Sequence, residues 1–381
     1  MLLSRSILGR YLGREIVTAV AFVLVAFLAL FAFFDFINEL DEVGGISYSV
    51  SAAALYVLLT LPSRTYEAMP IAALIGSVYA LAQLAAHSEF TAMRASGLGR
   101  LRALFELVRV GAWLALFTAL MGEVVAPPAE RLAQELRLTS LGTTVGGQLR
   151  SGLWIRDTVR GASGEALRIR FVNVGELMPD ASLRRIRVIE FDEQMRLAEV
   201  VRAERGDFSG DGRWRLSGVQ STTYTQAQGN ESLPLLRAAR ASRDQVIWTS
   251  DITPTLLSVL MVTPERMSAL NLFNYIRHLR ENQQSSERYE IAFWQKVVYP
   301  LAVIVMMALA LPFAYLQSRA GGIGYKVFAG IMLGVAFHFL NGLFSNLGLL
   351  NTWPPWLAVS IPSLTAFCLA VGLLRWVDRT R

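Results

Sequence analysis

One short polar segment combines residue types that can dock a second protein at a membrane surface. Residues 87–100 separate two long apolar stretches and contain charged, hydroxyl and aromatic side chains. Their composition favours a short helix up to Ala95, with Ser88 as its N-cap and with Gly97 and Gly99 ending it. On pattern alone an ordinary interfacial helix is the simpler interpretation. The functional alternative is a helix at the inner membrane face that docks into a cleft on a cytoplasmic ATPase.

Three arginines form a second set with recognisable chemistry. Arg64, Arg131 and Arg137 lie near the ends of apolar stretches, at what the topology below makes the outer membrane boundary. A planar guanidinium binds phosphate oxygens through parallel hydrogen bonds, so these side chains are candidates for the phosphates of an anionic lipid head group. Snorkelling to the bilayer interface explains any one of them equally well. Several arginines at one level above a cavity would favour lipid binding.

Ionisable residues within apolar stretches are the usual candidates for chemistry inside a membrane. Asp35, Glu67 and Glu123 fall near the outer boundary, where a charge costs little, and His338 suits interhelical packing. They suggest no acid–base pair, and the sequence contains neither a G-x-S-x-G nor an H-E-x-x-H motif. A membrane-embedded hydrolase is therefore disfavoured, and no catalytic residue is assigned.

Nucleotide, metal and cofactor sites are not indicated either. The chain lacks a G-x-x-x-x-G-K-S/T motif, so ATP-driven work would need an ATPase on another chain. Cys368 is the single cysteine and the three histidines are scattered, which excludes an intrachain disulfide and predicts no metal site. The net charge of +6 comes from arginines spread over both membrane sides, so nucleic acid is not an expected partner.

Six apolar stretches must position these residues. Of the 381 residues 53% are hydrophobic, and the mean hydropathy is +0.41. A spanning helix needs about 20 apolar residues. The sequence predicts spans at 16–37, 66–86, 103–127, 292–316, 327–348 and 355–377. Residues 50–62 are interpreted as the outer part of a second helix broken at Pro62 and Pro70, rather than as a seventh span.

Positive charge sets the expected orientation. Lys and Arg are concentrated before the first span, between spans two and three, between spans four and five, and after the sixth. The alternate short loops, at 38–49 and 348–355, contain neither residue. By the positive-inside rule both termini are cytoplasmic, and the polar centre of the chain lies on the outer, periplasmic side.

The polar centre has the period of β-strands. Polar and apolar residues alternate at 167–171, 185–191 and 214–217, with turn signals between them. Short strands of this kind predict an antiparallel sandwich or jelly roll. This domain is either a spacer or a structure whose open apolar seam holds a lipid chain, and the sequence leaves both open.

The expected fold class is an α-helical membrane protein with six transmembrane helices and an inserted periplasmic antiparallel β-jellyroll domain. Residues 1–137 would hold the first three spans and the inner segment at about 87–100. The β domain would cover 138–268. Residues 269–381 would contain an amphipathic linker helix, capped by Ser268, and the last three spans.

Four stretches also carry a resemblance to a known family: residues 88–97, 123–130, 152–154 and 288–301. Together, over nearly the whole chain, they resemble the YjgP/YjgQ family of lipopolysaccharide export permeases, LptF and LptG. Residues 93–98 and 152–154 are more similar to the LptG member than to LptF. The resemblance implies a non-catalytic permease subunit of an ABC transporter in a bacterial inner membrane.

The same resemblance implies partners and site residues. Relatives pair as LptF with LptG, use two copies of the ATPase LptB and bind LptC, which has one transmembrane helix. The complex passes lipopolysaccharide toward a periplasmic LptA bridge. The implied ATPase-coupling residues are Ser88, Glu89, Phe90, Met93, Arg94, Ala95 and Gly97. Arg137 matches a basic position that would bind lipid phosphates with Arg64 and Arg131, whereas Asp35 stands where some relatives carry a basic residue.

Two other functions fit the sequence. A sister permease for a different lipid or glycolipid is an alternative, because acyl number, sugars and phosphates leave no recognisable pattern in a transporter sequence. A transmembrane sensor with a periplasmic ligand domain is less favoured, since the sequence shows no cytoplasmic output domain.

Overall fold

The chain folds as a helical bundle with an antiparallel sheet inserted between its two halves. The computed structural model describes residues 7–41, 43, 48–141, 152–160, 166–178, 182–192, 194–227, 235–250, 252–254, 257, 263–315, 322–351 and 353–379. The helices are α1 Ile7–Leu40, α2 Val50–Ala86, α3 Glu89–Ala95, α4 Arg100–Leu120, α5 Ala126–Leu141, α6 Ala269–Glu281, α7 Glu287–Tyr315, α8 Ile323–Leu350 and α9 Pro355–Arg379. The strands are β1 Leu153–Arg160, β2 Ala166–Leu177, β3 Leu183–Phe191, β4 Leu197–Gly210, β5 Arg213–Ala227 and β6 Leu235–Thr249.

Within these ranges, six helical spans are long and apolar enough to cross a membrane, as predicted. A π-helical turn, Met121–Val125, joins α4 and α5 into one span. α2 and α7 form the centre of the bundle. In the most apolar 18-residue stretch of each helix, 78% of the residues of α2 and 67% of those of α7 are buried. The corresponding shares are 11% for α1 and 17% for α8. The wide apolar faces of α1 and α8 must therefore meet lipid or another chain.

The second helix is not broken. α2 runs from Val50 to Ala86 and contains both Pro62 and Pro70, so the prediction of a break is wrong, although residues 50–62 do belong to this helix. Proline is tolerated at membrane depth where neighbouring helices satisfy the backbone groups it disturbs. Such a contact is seen close to Pro70, where the Tyr299 hydroxyl of α7 donates to the Glu67 carbonyl at 2.6 Å.

The third span is longer than predicted. Instead of ending at residue 127, the helix continues through the π turn and α5 to Leu141. Pro127 lies in the first turn of α5, where proline is tolerated. It has no N–H to offer the Gly122 carbonyl of the π turn, and the Lys296 ammonium lies 3.4 Å from that oxygen instead. A buried cation thus replaces a missing backbone donor.

The inserted domain is a single antiparallel sheet among the described strands, paired in chain order from β1 to β6. The antiparallel β domain is confirmed, and its order is that of a meander. The two-residue period of a strand is seen in β3, where Ile186, Val188 and Glu190 are buried. Trp214 is fully buried, and its indole N–H donates to the Ile252 carbonyl at 2.8 Å. Ile186, Val188 and Trp214 belong to the hydrophobic core of the sheet domain.

α6 returns the chain from the sheet to the bundle. Ser268 caps it as predicted, accepting a hydrogen bond from the Asn271 N–H at 3.2 Å. Four side chains of α6 are buried and pack against residues at the start of α7. They are Leu272, Tyr275, Ile276 and Leu279. The return segment is thus attached to a central helix of the bundle.

Candidate functional site

The inner polar segment forms the predicted short helix, α3. It ends in a Schellman motif, in which Leu98 N–H donates to the Met93 carbonyl at 3.0 Å and Gly97 N–H to the Arg94 carbonyl at 3.1 Å. Gly97 has φ of 101°, a conformation that favours glycine. Ser88 occupies the N-cap position, but its hydroxyl makes no capping hydrogen bond and its backbone is left-handed. The prediction that the Ser88 side chain caps α3 is therefore wrong, although the residue stands at the N-cap position.

Packing rather than capping holds α3 in place. Phe90 is 2% exposed, and its ring meets the Tyr315 ring edge to face with centroids 5.2 Å apart. The guanidinium groups of Arg94 and Arg100 lie 5.3 and 5.6 Å from the centre of the same ring. Met93 is buried beside them. Because Tyr315 is the last residue of α7, these contacts fix α3 to the inner end of a central helix.

The opposite side of α3 is open. Ser88, Ala95 and Gly97 are exposed, and Glu89 is half-buried. Glu89 accepts a hydrogen bond from the Tyr11 hydroxyl of α1 at 2.8 Å. The residues predicted to contact an ATPase thus separate into an inward group that anchors α3 and an outward group that is available to a partner.

At the outer end of the bundle, Arg64 is held by two acids. Its Nε and Nη2 donate to the two oxygens of Asp35 on α1 at 2.9 and 2.8 Å, and its Nη1 donates to Glu67 at 3.2 Å. Two carboxylates around one guanidinium leave this group with a net negative charge. Asp35 is therefore the partner of Arg64, which explains an acid at that level of the first span.

Arg131 and Arg137 lie on α5 in different environments, because six residues turn a helix by about 240° beyond a full turn. Arg137 donates through Nε to the buried Glu39 at 2.9 Å and lies over the Tyr56 ring. Tyr48 also donates to Glu39, at 2.7 Å. Arg131 is exposed and has no ion-pair or hydrogen-bond partner in the described part of the chain. Of the three predicted arginines, Arg64 and Arg137 are thus paired with acids of α1, and Arg131 is exposed.

Two acids connect the bundle to the chain that returns from the sheet. Glu130 on α5 is fully buried and accepts a hydrogen bond from Arg266 Nη1 at 2.6 Å. Both oxygens of Glu123, in the π turn, accept the Ala269 N–H at the start of α6, at 2.9 and 3.0 Å. A carboxylate at a helix N-terminus is favourable. Sequence reasoning missed Glu130, although it lies within the 123–130 stretch that carries the family resemblance.

The sheet carries an open groove of about 550 Å³. Its apolar lining residues are Val188, Val201, Leu216, Val219, Val246, Ile247 and Trp248. The Trp248 indole N–H is buried in this wall without a hydrogen-bond partner among the described residues. Polar residues complete the lining: Asp157, Thr158, Arg170, Glu190, Glu199, Ser221, Arg243, Thr249 and Ser250. The groove thus combines an apolar wall with a polar one.

Two acids of the groove, Glu190 and Asp157, are held by neighbouring side chains. Burial alone would raise the pKa of Glu190, but hydrogen bonds from Arg170 and Arg168 outweigh it and hold that pKa below its ordinary value. Asp157 accepts a hydrogen bond from the Ser250 hydroxyl at 2.7 Å. Glu190 and Asp157 therefore already have partners within the sheet domain.

Comparison with known proteins agrees with this architecture. The sequence profile described as lipopolysaccharide export system permease LptF/LptG matches residues 10–376. The chain is 31% identical over 375 residues to the lipopolysaccharide export system permease protein LptG of Escherichia coli (strain K12), covering 97% of this chain and 98% of that protein. It is 28% identical over 358 residues to the protein of the same name from Haemophilus influenzae, covering 94% and 95%. The chain therefore belongs to the LptF/LptG family of lipopolysaccharide export system permeases.

Proposed function

We propose that this chain is the LptG-type permease of a lipopolysaccharide exporter in a bacterial inner membrane. The observation that carries the proposal is the match to LptG proteins over 97% of the chain. The chain itself is non-enzymatic, and ATP hydrolysis belongs to an LptB-like ATPase dimer. Its other partners are an LptF-like permease, an LptC-like single-span protein and lipopolysaccharide. A permease for a related glycolipid is the alternative.

In this proposal the molecule has two parts. Residues 1–137 and 269–381 form the membrane portion, and 138–268 form the periplasmic β domain. Both termini are cytoplasmic, in line with the distribution of Lys and Arg. The exposed apolar faces of α1 and α8 supply surface for the second permease and for the single-span partner. Packing between apolar helix faces is what drives such association in a bilayer.

In this proposal, the movement produced by ATP binding would reach the membrane helices through α3. ATP binding closes the ATPase pair and moves the outward face of α3. The inward face transmits that movement to α7, because Phe90 and Arg94 are packed on Tyr315. α7 in turn lies beside α2, α4 and α9. Movement of a helix that is packed against three others would rearrange the bundle and raise the lipid.

The lipid would leave through the β domain. Removing acyl chains from a bilayer costs roughly 0.8 kcal/mol for each CH₂ exposed to water. The apolar wall of the sheet groove lowers that cost by receiving the chains. Ion pairs that join α5 to the return segment keep the sheet attached to the bundle during this transfer.

Affinity purification of the tagged chain in mild detergent tests the assignment. We expect an LptB-like ATPase, a second six-span permease and lipopolysaccharide in the same peak, identified by mass spectrometry. A chain that elutes alone, without ATPase or bound lipid, would contradict the proposal and favour a sensor. Co-elution with a different glycolipid would support the sister-permease alternative.

Replacing Glu89 with Lys tests the docking face of α3. We expect lipid release to fall about tenfold, because a reversed charge at an interface costs about 1.4 kcal/mol. Membrane insertion should be unchanged, since Glu89 is only half-buried. The measurement is lipopolysaccharide release from vesicles containing the whole complex.

Tyr11→Phe is the matched control for this variant, because it removes only the internal hydrogen bond to Glu89. If Tyr11→Phe and Glu89→Lys reduced release equally, Glu89 would act within the chain and not on the ATPase.

The two arginines of α5 should respond differently to charge reversal. Arg131→Glu is expected to lower photo-crosslinking of lipopolysaccharide near this site about tenfold without changing Tm, because Arg131 has no protein partner among the described residues. Arg137→Glu is expected to lower Tm, because it places a second acid beside the buried Glu39. Unchanged crosslinking in Arg131→Glu would assign that residue to snorkelling.

A further inference from the structure

A cleft lies between α1 and α4 at the inner end of the bundle, away from the sheet groove and the outer acids. Its volume is about 650 Å³. The residues that line it are Ile7, Gly9, Arg10, Tyr11, Gly13, Arg14, Val17, Arg109, Val110 and Trp113. No lipid contact considered above uses this cleft.

Two glycines shape the floor of the cleft. A Cβ at Gly9 would lie 2.7 Å from a carboxylate oxygen of Glu106, and a Cβ at Gly13 would lie 3.3 Å from Val110. α1 and α4 therefore approach each other closely here, with the side chains of Glu106 and Val110 lying against the two glycines. The space above these glycines can accept a flexible chain that enters from the side of the bundle.

The rim of the cleft carries positive charge. Arg109 is paired with Glu106, one turn away on α4. Arg10 and Arg14 are exposed, lie one helical turn apart, and have no ion-pair partner in the described part of the chain. Side chains four residues apart share a face of a helix, so both guanidinium groups can reach one phosphate.

Aromatic and apolar side chains continue the cleft away from the charges. Trp113 is 68% exposed and Tyr11 is 39% exposed, and amphipathic rings of this kind are enriched at head-group level. Val17 lies about two turns beyond Arg10, toward the middle of the first span. The cleft thus has a cationic part at Arg10 and Arg14 and an aromatic and apolar part at Trp113 and Val17, a pairing that suits the phosphate and an acyl chain of a phospholipid.

We propose that the α1/α4 cleft binds an anionic phospholipid of the inner leaflet, with its phosphate on Arg10 and Arg14 and an acyl chain along Val17 and Trp113. Anionic lipids are attracted to basic residues next to a membrane helix by about 1 kcal/mol for each charge. Tyr11 lines the cleft and also donates to Glu89 of α3. A bound lipid therefore touches the hydrogen bond that connects α1 to the inner segment, whichever lipid the protein exports.

Native mass spectrometry of the purified full chain tests the site. The probes are dioleoyl phosphatidylglycerol and, as a neutral lipid, dioleoyl phosphatidylcholine. We expect Arg10→Gln/Arg14→Gln to weaken phosphatidylglycerol binding about tenfold and to leave phosphatidylcholine binding unchanged. The matched control, Arg102→Gln/Arg375→Gln, removes the same charge at the same end of the bundle but outside the cleft, and should bind phosphatidylglycerol like the parent chain.

Equal losses in the two double variants would overturn the proposal and leave only diffuse attraction to positive charge. An unchanged affinity in Arg10→Gln/Arg14→Gln would overturn it as well. A photoreactive residue in place of Val17, in intact cells, gives a second readout. A phospholipid adduct supports the site, and crosslinking to another protein chain would assign the cleft to a partner helix. These results do not depend on lipopolysaccharide release.

Discussion

Phe90→Ala is expected to abolish most of the lipid release per ATP hydrolysed while the ATPase continues to turn over. Phe90 is 2% exposed and supplies the main apolar contact between α3 and Tyr315. Truncating a buried Phe costs about 3–5 kcal/mol. A helix of seven residues is not stable by itself, so its position depends on that contact. Loss of about 3 kcal/mol lowers the docked population roughly a hundredfold.

The measurement is lipopolysaccharide release and phosphate production from the same vesicles containing the whole complex. Phe105→Ala is the matched control, because it removes the same ring from an exposed position on α4, outside α3, and should keep the parent ratio. Phe90→Leu should fall between the two, since it keeps part of the buried volume. A parent-like ratio in Phe90→Ala would show that α3 does not transmit force through Tyr315.

Glu130→Ala is expected to destabilise the protein by about 3–5 kcal/mol, the cost of leaving one partner of a buried ion pair alone. Glu130 is fully buried, and it accepts from Arg266 at 2.6 Å and from the Ser63 hydroxyl at 3.1 Å. Its removal frees the segment between the sheet and α6 from α5. A lower Tm in detergent and faster proteolysis near Arg266 are the expected results.

Glu135→Ala is the control for stability, because Glu135 is an exposed acid on the same helix. The double variant Glu130→Ala/Arg266→Met should regain part of the lost Tm, since replacing a buried pair by apolar groups is much less costly than breaking it. If Glu130→Ala and Glu135→Ala had the same Tm, the Glu130–Arg266 pair would contribute nothing to the junction.

Most of the helices and strands could be predicted from local properties of the sequence. The six spans were predicted by hydropathy, the sheet by alternation, and α6 with its Ser268 cap by a short amphipathic pattern. The family and its LptG-like character also followed from short stretches, and the comparisons confirm them. These properties are carried by residues close together in the chain, so a sequence displays them directly.

The errors have a common origin. α2 was predicted to break because proline lowers helix stability in isolation, but it is surrounded by helices that stabilise it. Ser88 has the right residue type for a cap, yet packing of Phe90 holds α3 in a geometry in which the hydroxyl makes no capping bond. In both cases tertiary contacts outweighed a local preference.

The sequence by itself determined that this chain spans a membrane six times, carries a β domain in the middle and belongs to an export permease family. Only the tertiary structure decided which charges are available. It pairs Arg64 with Asp35, Arg137 with Glu39, and Glu130 with Arg266 across 136 residues, and it leaves Arg131 exposed. A charge is free or occupied according to its neighbours in space, and those neighbours are brought together by helix packing, because no local pattern encodes contacts between residues so far apart in the chain.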